Sequence, residues 1–211
     1  SYGAMYAGWV KVLDDLTGQL AYKPLSGFAM GANARCNANR PISKAPAGTV
    51  DGQLYGVQGQ EYALSAAEES DFIDANANFV KNVDTGYCLW MARTLQNGKS
   101  GTSQIHVRDT LIYLRTSMDE GTLFLFEEPA TAATRGRVTS VLENFLGNEW
   151  ARGTLQGASS GEAYKVLCNE QNNPAFVQKE QKTVAEVWVN IPNTTELLLI
   201  YVNPEMPTET V

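Results

Sequence analysis

The sequence predicts an α/β fold built from mixed sheets flanked by helices. Three observations carry that expectation. Short alternating or continuous apolar runs recur along the chain, at residues 2–13, 79–83, 123–126 and 183–191, and each has strand length. Longer stretches follow the spacing of one helical face, as in Val107, Leu111, Leu114 and Met118. Turn residues, chiefly Gly, Asp and Asn, punctuate the two kinds of segment.

In the first half, residues 2–13 carry Tyr6, Trp9, Val10 and Val12 in loose alternation and read as a strand. Asp14-Asp15-Leu16-Thr17-Gly18 is a turn, and residues 19–22 return as a second strand. The alanine-rich run 28–38 reads as a helix, residues 39–52 as a Pro/Gly-rich loop, and 53–57 as a short strand. Ser65 with Glu68 three residues on is a capping box, opening a helix through Asn76. Residues 79–83 and 87–91 are two strands joined at Asp84-Thr85-Gly86. Residues 96–103, polar with two glycines, are the expected linker between two halves, residues 1–101 and 102–211.

The second half opens with the helix of Val107 to Met118, stopped by Gly121. Residues 123–126 are continuously apolar, as a buried strand would be. Pro129 and Thr131 start a long helix with Val138, Val141, Leu142, Phe145 and Trp150 as its apolar stripe, which Gly147 weakens without ending. A strand at 163–167 follows a Gly/Ser loop, and a polar loop spans 169–174. Ala185, Val187, Val189 and Ile191 share one face of a further strand. Leu197, Leu198, Leu199, Ile200, Tyr201 and Val202 are apolar on both faces, so a strand there needs cover on both sides.

The chain's 211 residues and net charge of −7 argue against a nucleic-acid coat, which needs a basic surface. No apolar run reaches the roughly 20 residues of a membrane span. Cys36, Cys88 and Cys168 are widely spaced and odd in number, which disfavours a disulfide framework or a zinc site and favours buried thiols.

Chemistry is scarce. His106 is the single histidine, so any Ser-His-Asp or Cys-His centre must use it, and no nucleophile elbow lies nearby. The pairs Asp14/Asp15, Glu68/Glu69, Asp119/Glu120 and Glu127/Glu128 are sequence neighbours. Adjacent residues do not face each other as a catalytic dyad must, so solvated turns and helix ends are expected. Gly98-Lys99-Ser100 lacks the upstream glycine of a P-loop, and no GxGxxG occurs. The glycine-bearing loops at 153–161 have no strand entering them, and metal-ligand spacing is absent. No cofactor is expected. Arg135, Arg137 and Arg152 lie on or near the long helix and suit either a solvated face or an acidic partner.

Several short motifs, read in order, point to a family. They begin with SYGAMYAGWVKV, Leu16-Thr17-Gly18, and Pro24-Leu25-Ser26-Gly27 ahead of a helix with Ala34-Arg35. They continue with Lys44-Ala45-Pro46-Ala47, Trp90-Met91-Ala92-Arg93-Thr94-Leu95, His106-Val107-Arg108 and Phe126-Glu127-Glu128-Pro129. Last come Gly153-Thr154-Leu155-Gln156-Gly157 and Ala163-Tyr164-Lys165-Val166. Together these resemble the C-terminal region of contractile tail sheath proteins, which phages share with tailocins and injection machines. Departures are Ala7-Gly8 for a usual Tyr-Pro, Met91 for a Gly, and Asp109 for a second Arg.

The resemblance implies a sheath-protein core without enzymatic activity. It implies self-assembly as stacked hexameric rings around an inner tail tube protein, with baseplate and tail terminator proteins as further partners and neither nucleic acid nor membrane among them. The setting implied is the virion tail, assembled in the host cytoplasm. Residues 1–101 would be the C-terminal part of a central α/β domain, and 102–211 an inner domain. In the family, arms add strands to a neighbour's sheet; here Leu197 to Val202 would be such an arm strand, and Arg135, Arg137 and Arg152 would face the tube. Opening at Ser1 in a strand-like stretch suggests a fragment lacking upstream domains. The rival expectation from the residues is an α/β hydrolase built on His106 or a carboxylate pair.

Overall fold

The computed structural model describes residues 2–97 and 101–194. The expected first strand divides in two, β1 (Met5–Ala7) and β2 (Trp9–Leu13), and the halves enter different sheets. Gly8 between them has φ +100°, a left-handed conformation that glycine adopts without a Cβ penalty. β2 then pairs antiparallel with β3 (Leu20–Pro24), in register Leu13 to Leu20, around a turn in which Gly18 N–H donates to the Asp14 carbonyl at 2.8 Å.

Helix α1 (Leu25–Asn39) buries Leu25, Ala29, Ala32 and Cys36, one side at 4-3-4 spacing. A single turn, α2 (Gly48–Asp51), interrupts the expected loop. The strand expected at 53–57 lies later, as β4 (Val57–Gln60). Gly56, at φ +74°, turns the chain there, and Gln53 makes only an isolated bridge to Cys88. α3 (Ala66–Asp74) starts with the expected capping box: Ser65 Oγ accepts from Glu68 N–H, and Glu68 accepts from Ser65 N–H at 2.8 Å. The hairpin of β5 (Ala77–Val83) and β6 (Gly86–Trp90) closes at Asp84-Thr85. Sheet order is β1-β5-β6, with β1 parallel to β5, and β3-β2-β4. Val10, Leu25, Ala29, Val80 and Leu89 form one core between these sheets and α1.

Crossing into the second half, Ile105 N–H donates to Ala92 O and Leu95 N–H to Gly3 O, both at 2.9 Å. Buried Asn78 bonds the Met5 carbonyl and both backbone groups of Arg93. α4 (Ile105–Gly121) ends where Gly121 was expected to stop it. Asp109, on its first turns, accepts from Asn33 of α1 at 3.0 Å, and so ties the two halves.

Residues 123–126 are not a buried strand. They form a 3-10 turn, with Leu123 71% and Phe126 82% exposed. The turn's backbone bonds run Leu125 to Thr122 and Phe126 to Leu123. With those groups satisfied locally and α5 opening a few residues later, the run has no ladder to join.

α5 (Ala132–Ala151) is capped by Thr131, whose Oγ1 accepts from Thr134 N–H at 3.2 Å. It buries Val138, Leu142 and Leu146. Gly147 continues the helix, and a Cβ there would sit 3.2 Å from the Tyr164 hydroxyl, so the glycine lets that ring approach. After α6 (Ser160–Ala163) come β7 (Tyr164–Leu167), α7 (Ala175–Lys179) and β8 (Glu186–Val189). β7 and β8 form a two-stranded antiparallel sheet. Val187, Val189 and Ile191 face a second core around Leu114, Leu146 and Leu155, whereas Ala185 is exposed. The expected arm strand, Leu197 to Val202, lies outside the described residues.

Candidate assembly surface

Among the described residues, the side chains that could have carried chemistry make structural contacts. His106, at the start of α4, is buried, with Nε2 3.3 Å from the Pro192 carbonyl and 3.3 Å from Thr194 Oγ1. Those are anchoring contacts for the chain leaving β8. Asp14 pairs with Lys23 at 3.2 Å and caps its own turn, and the Leu16 N–H above all holds its carboxyl below the usual range. Glu68 serves the capping box, and Glu69 pairs with Lys81 at 2.6 Å. Among the described residues no group of three or more His, Cys, Asp or Glu could hold a metal ion. All three cysteines are buried, and burial pushes each thiol upward, away from the reactive thiolate.

The three arginines are not one patch. Arg135 is only 5% exposed, and its Nη1 donates to the Ala130 carbonyl at 3.2 Å, so its guanidinium stays inside the chain. This corrects the expectation that it faces a partner: one helical turn after the cap, it lies on the buried side with Val138 and Leu142. Arg137 lies 4.2 Å over the Phe124 ring, packing the exposed turn against α5. Arg152 is outward, its side chain 70% exposed, and it holds Glu149 at 3.0 Å.

Glu149 is a functional-looking group that sequence reading misses. It is buried, and accepts from Tyr113 Oη (3.1 Å), Arg152 Nη1 (3.0 Å) and Thr154 Oγ1 (2.8 Å). It therefore locks α4, α5 and the loop after α5 together. Its signal was positional: residues 142, 146 and 149 share one helical side.

The second half also carries a small two-stranded sheet. β7 and β8 are two short strands resting on α4 and α5, and both outer edges lack a partner strand among the described residues. Asn190 N–H donates to Ala163 O at 2.8 Å in the same register. Antiparallel pairs alternate between bonded and open. Tyr164–Val189 and Val166–Val187 are then the open pairs, and their backbone groups point outward at the two edges. On the outer face Lys165 lies 5.5 Å over the Trp188 ring. The hairpin connection is held by buried Asn173. Its Oδ1 accepts from Val184 N–H at 2.6 Å, and its Nδ2 donates to Val184 O (2.9 Å) and Asn169 O (3.0 Å).

No family model matches the chain. The chain is 25% identical over 167 residues to the tail sheath protein of Vibrio phage KVP40, a match covering 79% of this chain and 24% of that protein. In structure it is similar to a chain of the anti-feeding prophage baseplate, with a TM-score of 0.87, 21% identity, and coverage of 96% of this chain and 55% of that one. The contracted sheath complex of the PVC extracellular contractile injection system matches with a TM-score of 0.83 and 22% identity, over 96% and 56% of the two chains. A sheath tail protein of Desulfitobacterium hafniense matches with a TM-score of 0.58 and 12% identity, over 78% and 38%. The chain thus spans about a quarter of its curated relative and just over half of the first two structures. The mixed α/β fold is that of contractile sheath proteins, and the relatives are structural proteins, not enzymes.

Proposed function

We propose that this chain forms the core of a structural subunit in a contractile tail or injection sheath. Such subunits stack as hexameric rings around an inner tube and shorten to drive it through the target envelope. The single observation that carries the reading is the fold match across 96% of the chain to chains from contractile assemblies. The partners are other copies of the subunit, the tube protein, the baseplate and the tail terminator, and the setting is a phage virion or phage-like particle. Residues 1–101 belong to a central domain and 102–211 to an inner one. The separate cores, one around Val10 and Leu89 and one around Leu114 and Leu146, support that division.

Neighbouring copies link by strand addition. The open edges of β7 and β8 are the acceptor, and Leu197 to Val202 the donated strand, since backbone bonds hold a partner while its body rotates. Arg152, and Arg137 beside the exposed turn, are the charges available to the tube from the α5 side.

Negative-stain electron microscopy of the complete open reading frame that encodes this chain tests the reading. Long hollow tubules are expected. Discrete globular particles under every assembly condition would refute it.

A further inference from the structure

The tip of the β2–β3 hairpin presents apolar side chains to solvent. Leu16 is 96% exposed, and Leu13 and Leu20, paired at the strand ends beneath it, are exposed too. Exposure here is not looseness. Leu16 N–H donates to Asp14 Oδ1 at 3.0 Å, Asp14 N–H donates to the Gln19 carbonyl at 2.8 Å, and Lys23 holds the other Asp14 oxygen at 3.2 Å. Asp15, next to Leu16, is exposed and leaves the tip acidic. A turn fixed in this way loses little conformational freedom when a partner buries its apolar residue.

A pocket of matching chemistry, about 410 Å³, lies against α1. Phe28, Leu54 and Tyr55 give it apolar walls. Gly27 and Gly31 form its helix side, where a Cβ would meet nothing within 4 Å. Arg35 completes the lining. Its guanidinium lies 4.4 Å over the Tyr55 ring and donates to the Asp51 and Gln53 carbonyls. Those partners are neutral, so they fix the cation in place and leave its charge to attract an incoming acid.

We infer that Leu16 of one copy seats in this pocket of a second copy, with Asp15 set against Arg35. The inference rests on the reading above that copies of this chain assemble, and it names a side-chain contact separate from any added strand. The exposure of Leu16 shows that it does not enter the pocket of its own chain. Complementarity makes a second copy the occupant: an acidic apolar knob and a cationic apolar hole are parts of one sequence. The pairing also sets opposite charges together in a chain whose net charge of −7 otherwise makes its copies repel. Because the two surfaces differ, the contact runs head to tail and repeats from copy to copy.

The test is disulfide capture between two variants of the 211-residue chain, Leu16→Cys and Gly31→Cys, mixed in a glutathione redox buffer at low salt. The three native thiols are buried and take little part. The mixed disulfide is expected to dominate over either homodimer. It should also exceed the product of Leu16→Cys with Leu123→Cys, an exposed position outside the pocket. Adding Asp15→Lys to the Leu16→Cys chain lowers the yield of the mixed disulfide about fivefold, as reversal at an exposed ion pair does. All four positions are exposed, so thermal unfolding of each reduced variant is expected to match that of the parent chain. A mixed disulfide no more abundant than the Leu123→Cys product overturns the inference, as does a yield that Asp15→Lys leaves unchanged. Tubules from the complete reading frame without this disulfide would sink the contact and spare the sheath reading. The disulfide with only globular particles would do the reverse.

Discussion

Replacing Asn173 with alanine tests what holds the β7–β8 hairpin in place. The side chain gives the connecting loop four hydrogen bonds: to Asn169 O, Asn172 Oδ1 and Val184 O, and from Val184 N–H. Asn173 is buried, so water does not freely replace them. At roughly 1 kcal/mol for each ordinary bond, with a further penalty for stranding a buried N–H, the loss is about 3 kcal/mol after partial relaxation. For a chain of this size that lowers Tm by about 6–12 °C. Calorimetry reads the midpoint, and hydrogen exchange at the Val184 amide reads the site itself, where protection should fall first. Asn173→Asp should lie between the two, since a carboxylate still accepts from Val184 N–H but cannot donate to the carbonyls. A Tm drop under 2 °C with unchanged protection at Val184 would refute the argument that this asparagine organises the β7–β8 sheet.

Other perturbations follow from the same geometry. Leu146→Ala, in the second core, should cost about 2–5 kcal/mol in urea unfolding, because it opens a cavity beneath Tyr164 and Val166. Gly8→Ala should cost about 1–3 kcal/mol by the same measurement, since φ +100° strains any residue with a Cβ. Burial above all, with Asp109 nearby, pushes the Tyr6 phenol up to about 12 from its ordinary 10. Its folded value is raised, so its contribution to stability is complete below pH 10 and is lost as pH rises toward 12. Tyr62, bonded to Glu68, and half-buried Tyr113 are raised as well, so absorbance titration should show several tyrosines ionising late, and Tyr6→Phe should remove the component near pH 12. The three thiols should react with a disulfide reagent only slowly in the native chain and rapidly in urea, because burial raises each of them.

The parts of the fold legible in the sequence are those whose cause is local. The capping box at Ser65 and Glu68, the cap at Thr131 and the turn at Asp84-Thr85 each satisfy their own backbone within a few residues, so the signal and the structure share one span. The apolar face of α4 is read as easily. The failures lie where a distant partner decides. Residues 123–126 have the hydropathy of a buried strand, but no strand among the described residues lies beside them, and local turn bonds win. The run from residue 2 to 13 alternates as one strand, yet β1 pairs with β5 and β2 with β3, and Gly8 carries the break. Arg135 and Glu149 look like solvated helix charges. Their burial follows from positions shared with Val138, Leu142 and Leu146, a signal present in the spacing but overridden by residue type. Of the expected site, Arg135 is buried, Arg152 is outward, and the arm strand lies outside the described residues.

An open strand edge is normally a hazard, since it templates pairing with any extended chain. Proteins that keep one blunt it with charge or twist, or reserve it for a chosen partner. The β7–β8 sheet combines edges that have no partner strand among the described residues with a rigid base. Asn173 fixes the connection between its strands, and Glu149 locks α4 to α5 beneath it. Such rigidity adds nothing to a sheet that only needs to avoid aggregation. It does serve one that must accept a strand without reordering, because a preorganised acceptor loses less conformational entropy on binding. The Glu149 lock joins two helices and not the sheet alone: Tyr113 of α4, Arg152 at the end of α5 and Thr154 in the loop beyond it all meet on its carboxylate. Glu149→Gln keeps the shape and removes the charge that Arg152 and the two hydroxyls address. It should lower the urea unfolding midpoint, because hydrogen bonds to a charged group contribute about 1.5–3 kcal/mol each and the neutral amide weakens all three. An unchanged midpoint would show that the charge of Glu149 does not hold the two helices together.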